Sequence, residues 1–92
     1  MLHMVITRHS PESCPGREGN ESVHPCLTSM EEFMKQRGVG IVGRWADPPA
    51  HVNYMVLDAP NAHVIQELFM ESGLFAYTVT DIRPILSMDE QP

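Results

Sequence analysis

The sequence predicts one α+β domain in which two helices cover one face of a four-stranded antiparallel sheet. The first observation is length, since 92 residues suffice for a single small domain. The second is the periodicity of apolar residues, which alternates along the chain between about 2 and about 3.6 residues. The third is the position of the prolines and glycines, which divide the chain into segments in the order β-α-β-β-α-β.

The first part of the chain predicts a strand, a loop and a helix. Residues 2–8 are mostly apolar and form the first strand, which ends near His9. Residues 10–22 are rich in proline, glycine, serine and asparagine, a composition that indicates a loop. The first helix begins at Pro25, because proline lacks the N–H that has no partner at the first helical position, and Gly38 ends it.

Two strands joined by a stiff turn follow. Residues 39–45 predict the second strand, which Gly40 and Gly43 weaken. Residues 46–50 contain two adjacent prolines and predict a turn. Residues 51–58 predict the third strand, because nearly every second residue is apolar or aromatic.

The chain continues with a second helix, a fourth strand and a tail. Pro60 opens the helix, whose apolar residues recur at helical spacing. Residues 74–82 predict the fourth strand, which Pro84 stops, and an edge strand tolerates such a proline. The domain is therefore expected to span residues 1–88, with residues 89–92 as a loose tail.

The order of these elements selects a topology. With right-handed crossovers, β-α-β-β-α-β gives a ferredoxin-like sheet that carries both helices on the same face. The other face is also largely apolar, and no element remains in the sequence to cover it. We therefore expect a homodimer in which two copies pack sheet to sheet, an arrangement known as the dimeric α+β barrel.

Charge and composition exclude several classes of partner. The chain has 12 acidic and 6 basic residues, so it would repel the phosphates of a nucleic acid. No stretch approaches the roughly 20 apolar residues that span a bilayer. His3, Arg8 and His9 interrupt any apolar leader at the N-terminus, so we expect a cytoplasmic protein. In that compartment Cys14 and Cys26 are expected to be thiols and not a disulfide.

Several short motifs are similar to those of known proteins. The segment "HSPESCP" after the first strand, followed by "GVGIVGRW" and "PPAHVNYMVLDAPNAHVI", resembles a group of small uncharacterised bacterial proteins of the dimeric α+β-barrel superfamily. This resemblance implies the fold deduced above. It also implies small organic ligands, because relatives in the superfamily include cofactor-free monooxygenases, isomerases and haem-binding proteins.

A second resemblance concerns metal binding. The segments "RWADP" and "LDAPNAHVI" are similar to those of small nickel-binding proteins of the same fold. Those relatives pair histidines at the end of the first strand and place another late in the second helix. Here Arg8–His9 ends the strand and Phe69 occupies the helix. The resemblance therefore implies a metal without implying nickel.

The topology brings metal-binding residue types to one end of the sheet, where the first strand ends and the third begins. We call this end the near pole. His9 and His51 lie there on adjacent strands, close enough to share an ion. Cys14 lies on the loop that follows and is the expected third ligand. His24 and Cys26, at the start of the first helix, are alternative ligands. Imidazole and thiolate together suit zinc, copper or nickel.

Other residues are assigned around this site. Asp47 is expected to accept a hydrogen bond from His51 and fix its tautomer, whereas His63 maps to the opposite end of the sheet. The sequence contains no C-x-x-C or H-E-x-x-H motif. A core role for Cys26 and a helix-capping role for His24 therefore stay open.

Two further interpretations of the chain stay open. One is a small enzyme with a pocket between sheet and helices for a small organic molecule, with His51 as general base. Its pocket would be lined by Trp45, Asn53, Tyr54 and Tyr77. The other is a structural or regulatory dimer that has no ligand site.

Overall fold

The strands and helices follow the predicted order. The computed structural model describes residues 1–14, 19, 21 and 23–90, without the side chains of residues 23, 24 and 90. The strands are β1 (Leu2–Arg8), β2 (Gly40–Asp47), β3 (Val52–Asp58) and β4 (Val79–Ile85). The helices are α1 (Val23–Gln36) and α2 (Ala62–Ser72). Short 3-10 turns occupy Pro11–Ser13, Leu74–Ala76 and Met88–Glu90.

The four strands form one sheet in the order β2-β3-β1-β4, and each neighbouring pair is antiparallel. This order is the one expected for βαββαβ, so the predicted fold class is confirmed. In β1, Val5 lies opposite Met55 of β3 and Ile82 of β4. Thr7 lies opposite Asn53. The two inner strands, β1 and β3, therefore carry the ends that meet at the near pole.

The core lies between the sheet and the helices. Val5 and Leu57 supply its sheet side and are completely buried. Ile65 and Leu68 of α2 are equally buried because they project from one helical face onto the sheet. Met34 of α1 is also buried in this cluster. This packing explains why the apolar residues of both helices recur at helical spacing.

The boundaries of the helices differ slightly from the predicted ones. Helix α1 begins at Val23, two residues before Pro25. Helix α2 begins at Ala62 because the Oδ1 atom of Asn61 accepts a hydrogen bond from the N–H of Val64 at 3.0 Å, so Asn61 and not Pro60 caps the helix. Gly73 ends α2 in the left-handed region, with φ of 84°.

The fourth strand begins later than predicted and continues further. Leu74–Ala76 forms a 3-10 turn because the buried side chain of Leu74 joins the core directly after α2. Strand β4 starts at Val79 and includes Pro84, which lies opposite His3. The strand is at the edge of the sheet, where a proline nitrogen without a hydrogen is tolerated. Met88–Glu90 forms a 3-10 turn across the predicted boundary between domain and tail, and residues 91–92 lie outside the described part.

The face of the sheet that points away from the helices is apolar, and we call it the outer face. It carries Met4 and Ile6 of β1 opposite Val56 and Tyr54 of β3, and Trp45 lies opposite Tyr54. Trp45 is 58% exposed. None of the described elements covers this face.

No helix among the described residues is long and apolar enough to cross a bilayer.

Candidate metal centre

His9 and His51 extend the pairing of β1 and β3 by one step. The last paired residues of these strands are Arg8 and Val52. Beyond them the N–H of His9 donates a hydrogen bond to the carbonyl oxygen of His51 at 3.1 Å. The two histidines are thus held as direct neighbours by the backbone of the two inner strands, as the topology predicted.

The turn before β3 gives His51 an unusual backbone conformation. Its φ is 55°, in the left-handed region that residues other than glycine seldom adopt. The N–H of His51 donates to the carbonyl oxygen of Pro48 at 3.1 Å. The Oδ1 atom of Asp47 accepts a hydrogen bond from the N–H of Ala50 at 3.4 Å. The imidazole of His51 lies beside that of His9 at the end of this turn.

The contact of Asp47 differs from the predicted one. Its carboxylate bonds to the backbone of the turn and, within the described residues, not to the ring of His51. Instead, the Nδ1 atom of His51 lies 3.2 Å from the Nε2 atom of His9. The ring centroids are 5.1 Å apart and the ring planes are inclined by 82°. The two histidines therefore orient each other, and Asp47 stabilises the turn that presents one of them.

Cys14 reaches the histidines through a short turn. The Oγ atom of Ser10 accepts a hydrogen bond from the N–H of Ser13 at 3.2 Å, which starts the 3-10 turn after β1. The N–H of Cys14 donates to the carbonyl oxygen of Pro11 at 3.4 Å. This fold-back places one ligand atom of each of His9, Cys14 and His51 within 4.8 Å of the other two, and all three residues are half-buried.

These separations are close to those that a tetrahedral ion requires. With metal–nitrogen distances of about 2.0–2.1 Å and a metal–sulfur distance of about 2.3 Å, ligand atoms lie about 3.3–3.6 Å apart. The two imidazole nitrogens already lie 3.2 Å apart. The sulfur of Cys14 needs to move by little more than an ångström at most, because no ligand separation exceeds 4.8 Å. The group could therefore hold a metal ion.

The pKa of His9 also favours metal binding by its imidazole. Burial lowers the pKa of His9 from its usual value of 6.5, and repulsion by a charged His51 lowers it further. A lowered pKa keeps this imidazole neutral, and only a neutral imidazole binds a metal.

The same shift predicts a pH-dependent stability of the metal-free protein. The pKa of His9 in the folded state lies below its unfolded value of about 6.5, so the unfolded chain takes up the proton first as the pH falls. We expect the free energy of unfolding to decline below about pH 6.5 until the pH passes the folded-state pKa. Urea unfolding at several pH values measures this. Equal pH dependence in wild type and His9→Gln would contradict the assignment to His9.

The remaining predicted ligands lie elsewhere or are not described. The side chain of His24 lies outside the described residues. Cys26 packs against the core, and its sulfur lies next to Gly73 at the end of α2. The cluster found among the described residues contains Cys14 and not Cys26. His63 is exposed in the first turn of α2.

A cavity of about 420 Å³ lies beside the cluster, between the sheet and the helices. Its lining includes the four predicted pocket residues Trp45, Asn53, Tyr54 and Tyr77. By strand alternation the side chains of Trp45 and Tyr54 belong to the outer face, so these two residues border the cavity from within the sheet. His9 contributes to the lining in the place expected for His51. Sequence patterns did not mark the apolar wall of the cavity, because helical periodicity assigns such residues simply to the core. That wall includes Met30, Met34, Phe69 and Leu74.

Comparison with known proteins shows the fold and no closer relationship. No protein-family model and no curated protein matches the chain. The structure of SCO4226 from Streptomyces coelicolor A3(2) matches with a TM-score of 0.58 and 16% identity, over 92% of this chain and 99% of that one. The structure of muconolactone isomerase matches with a TM-score of 0.63 and 18% identity, over 99% and 94% of the two chains. The chain therefore shares the fold of the dimeric α+β-barrel structures, and its resemblance to the small bacterial proteins is not confirmed beyond that fold.

Proposed function

We propose that the protein binds one transition-metal ion through His9, Cys14 and His51 at the near pole. The observation that carries the proposal is the mutual distance of their ligand atoms, none above 4.8 Å. Two of the ligands come from neighbouring inner strands and the third from the turn that follows β1. The ion would be held by residues whose backbones the fold already fixes.

The donor set narrows the metal to zinc, copper or nickel. Two imidazoles and one thiolate are borderline to soft ligands, which these ions accept, whereas magnesium and calcium require oxygen. Ligand type alone does not separate the three ions, since affinity for such sites rises toward copper and availability decides occupancy. The ion would serve storage, delivery or redox chemistry.

A cobalt titration of the full chain, purified without a histidine tag, tests the proposal. Co²⁺ takes the place of zinc and reports a bound thiolate by an intense near-ultraviolet absorption. We expect one Co²⁺ per chain, with that absorption present in wild type and in Cys26→Ser and absent in Cys14→Ser. The matched cysteine variants differ only in which thiol is lost. Absorption that survives Cys14→Ser and disappears in Cys26→Ser would overturn the ligand set.

We also propose that the protein is a homodimer. The support is the outer face, where Met4, Ile6, Tyr54, Val56 and Trp45 form an apolar surface that no described element covers. Monomeric proteins seldom expose contiguous apolar patches of this kind. A second copy that packs its own outer face on the first would bury both, and the shared fold of dimeric α+β barrels supports this arrangement.

A second candidate function is catalysis in the cavity. The supporting observation is its volume of about 420 Å³, which falls within the range of small-molecule sites. His9 at one end would act as general base, with Asn53 and Tyr77 as polar partners. The fold is also that of an isomerase. Elemental analysis separates the two functions, because protein that is isolated without metal, and takes up none, would support metal-free catalysis.

A further inference from the structure

The proposed metal-binding cluster and the cavity have one residue in common. His9 is a member of the cluster and also lines the cavity. Thr7 and Asn53 lie opposite each other on the helix-facing side of the sheet, and both line the cavity. His9 is the next residue toward the near pole on that side of β1, and the ring of His51 contacts the ring of His9. The cluster therefore stands at the near-pole end of the cavity, where Ser13, the neighbour of Cys14, also contributes to the lining.

The cluster provides fewer ligands than a tetrahedral ion takes. It contains three members among the described residues. Sites with three protein ligands leave the fourth position to water or to a substrate, whereas purely structural zinc sites supply all four ligands from the protein. A fourth ligand at this centre could come from a molecule in the adjacent cavity.

The walls of the cavity indicate what the body of such a molecule would be. They are largely apolar and include Met30, Met34 and Met55, together with Phe69 and Leu74. Methionine side chains are flexible and polarisable, so they adapt to flat aromatic or irregular apolar groups. Polar residues also line this space, among them the ion-paired Glu31 and Arg44, but most of its exposed surface is apolar, which favours a ligand with an apolar body.

We infer that the cavity binds a small molecule that has an apolar, ring-sized body and one Lewis-basic head group, and that the head group takes the fourth position on the ion. The inference rests on the proposed metal site. It assigns the cavity and the cluster to a single binding site in which His9 touches both the ion and the ligand.

Two probes that share a head group test the inference on the full-length, cobalt-loaded protein. Imidazole supplies the head group alone, and 4-phenylimidazole adds the ring-sized body. The cobalt spectrum reports binding of either probe at the ion. We expect 4-phenylimidazole to change this spectrum at a concentration at least tenfold lower than imidazole does, because the phenyl ring gains apolar burial in the cavity.

A variant that fills the cavity shows whether the gain arises there. Ala46 lines the cavity and is exposed, so Ala46→Trp places bulk in the cavity without disturbing the core. We expect this variant to bind cobalt and imidazole as wild type does and to lose the tenfold preference for 4-phenylimidazole. The matched control is Gln36→Trp, an exposed position of α1 outside the cavity lining, which should keep the preference.

The outcomes distinguish failure of this inference from failure of the metal site. Absence of the thiolate-to-cobalt absorption would overturn both. Normal cobalt binding with equal response to the two probes, or with a preference that Ala46→Trp leaves intact, would overturn only the inference. Equally tight binding of 4-phenylimidazole to metal-free protein, measured by calorimetry, would likewise exclude a role for the head group at the ion.

Discussion

Replacement of His9 or of His51 by alanine is expected to lower the affinity for Zn²⁺ or Co²⁺ by at least about a hundredfold, because loss of even an outer partner of a metal ligand costs about 10–100-fold. Each change removes one of three ligands and leaves a centre with two. The fold should survive, since both histidines lie at the end of the sheet and not in the buried cluster. Competition with a chromophoric chelator measures the affinity, and far-ultraviolet circular dichroism checks the fold.

His63→Ala is the matched control for this prediction. It removes an imidazole of the same kind from an exposed position in the first turn of α2, outside the cluster. We expect unchanged metal affinity. If His63→Ala released the ion and His51→Ala retained it, the ligand set at the near pole would be wrong.

A glutamate on the outer face is expected to convert the proposed dimer into a monomer. Val56 lies opposite Met4 near the middle of this face. In a symmetric dimer, Val56→Glu introduces the new carboxylate twice. Burial of an unpaired charge costs several kcal/mol. A loss of about 3 kcal/mol already raises the dissociation constant of the dimer more than a hundredfold. Light scattering during size-exclusion chromatography at micromolar concentration measures the change.

Met70→Glu provides the control for that variant. Met70 is 56% exposed on α2, so the same kind of substitution is made on the opposite side of the molecule. This variant should remain a dimer. A wild-type protein that is monomeric at all accessible concentrations, or a Val56→Glu variant that dimerises as tightly as wild type, would contradict the use of the outer face.

The proximity of His9 and His51 could be predicted from sequence because it depends only on strand order. Once β1 and β3 are antiparallel neighbours, His9 at the end of one must meet His51 at the start of the other. The fold class could also be predicted, because the period of the apolar residues distinguishes strands from helices. Cys14 could be predicted only as far as its loop, and the 3-10 turn that directs it inward has no strong signal beyond "SPES".

Other features depend on tertiary contacts that periodicity does not encode. Leu74 interrupts the predicted start of the fourth strand because burial against α2 outweighs the strand preference of its neighbours. The left-handed conformation of His51 arises in a turn where a glycine would have been the expected residue. The sequence could not distinguish the hydrogen bond that Asp47 accepts from the backbone of the turn from a hydrogen bond to the imidazole of His51.

The hydrogen bond between the backbones of His9 and His51 would link occupancy of the proposed metal site to the integrity of the whole domain. The two strands that it joins are the inner pair of the sheet, so they cannot separate without unfolding. The conformational entropy needed to align the two imidazoles is thus lost during folding and not when the ion binds. An ion that binds only the folded chain adds about 2.7 kcal/mol to the free energy of unfolding at a free concentration a hundred times its dissociation constant. If the proposed site is occupied, depletion of the metal would consequently shorten the lifetime of the protein against proteolysis as well as empty the site.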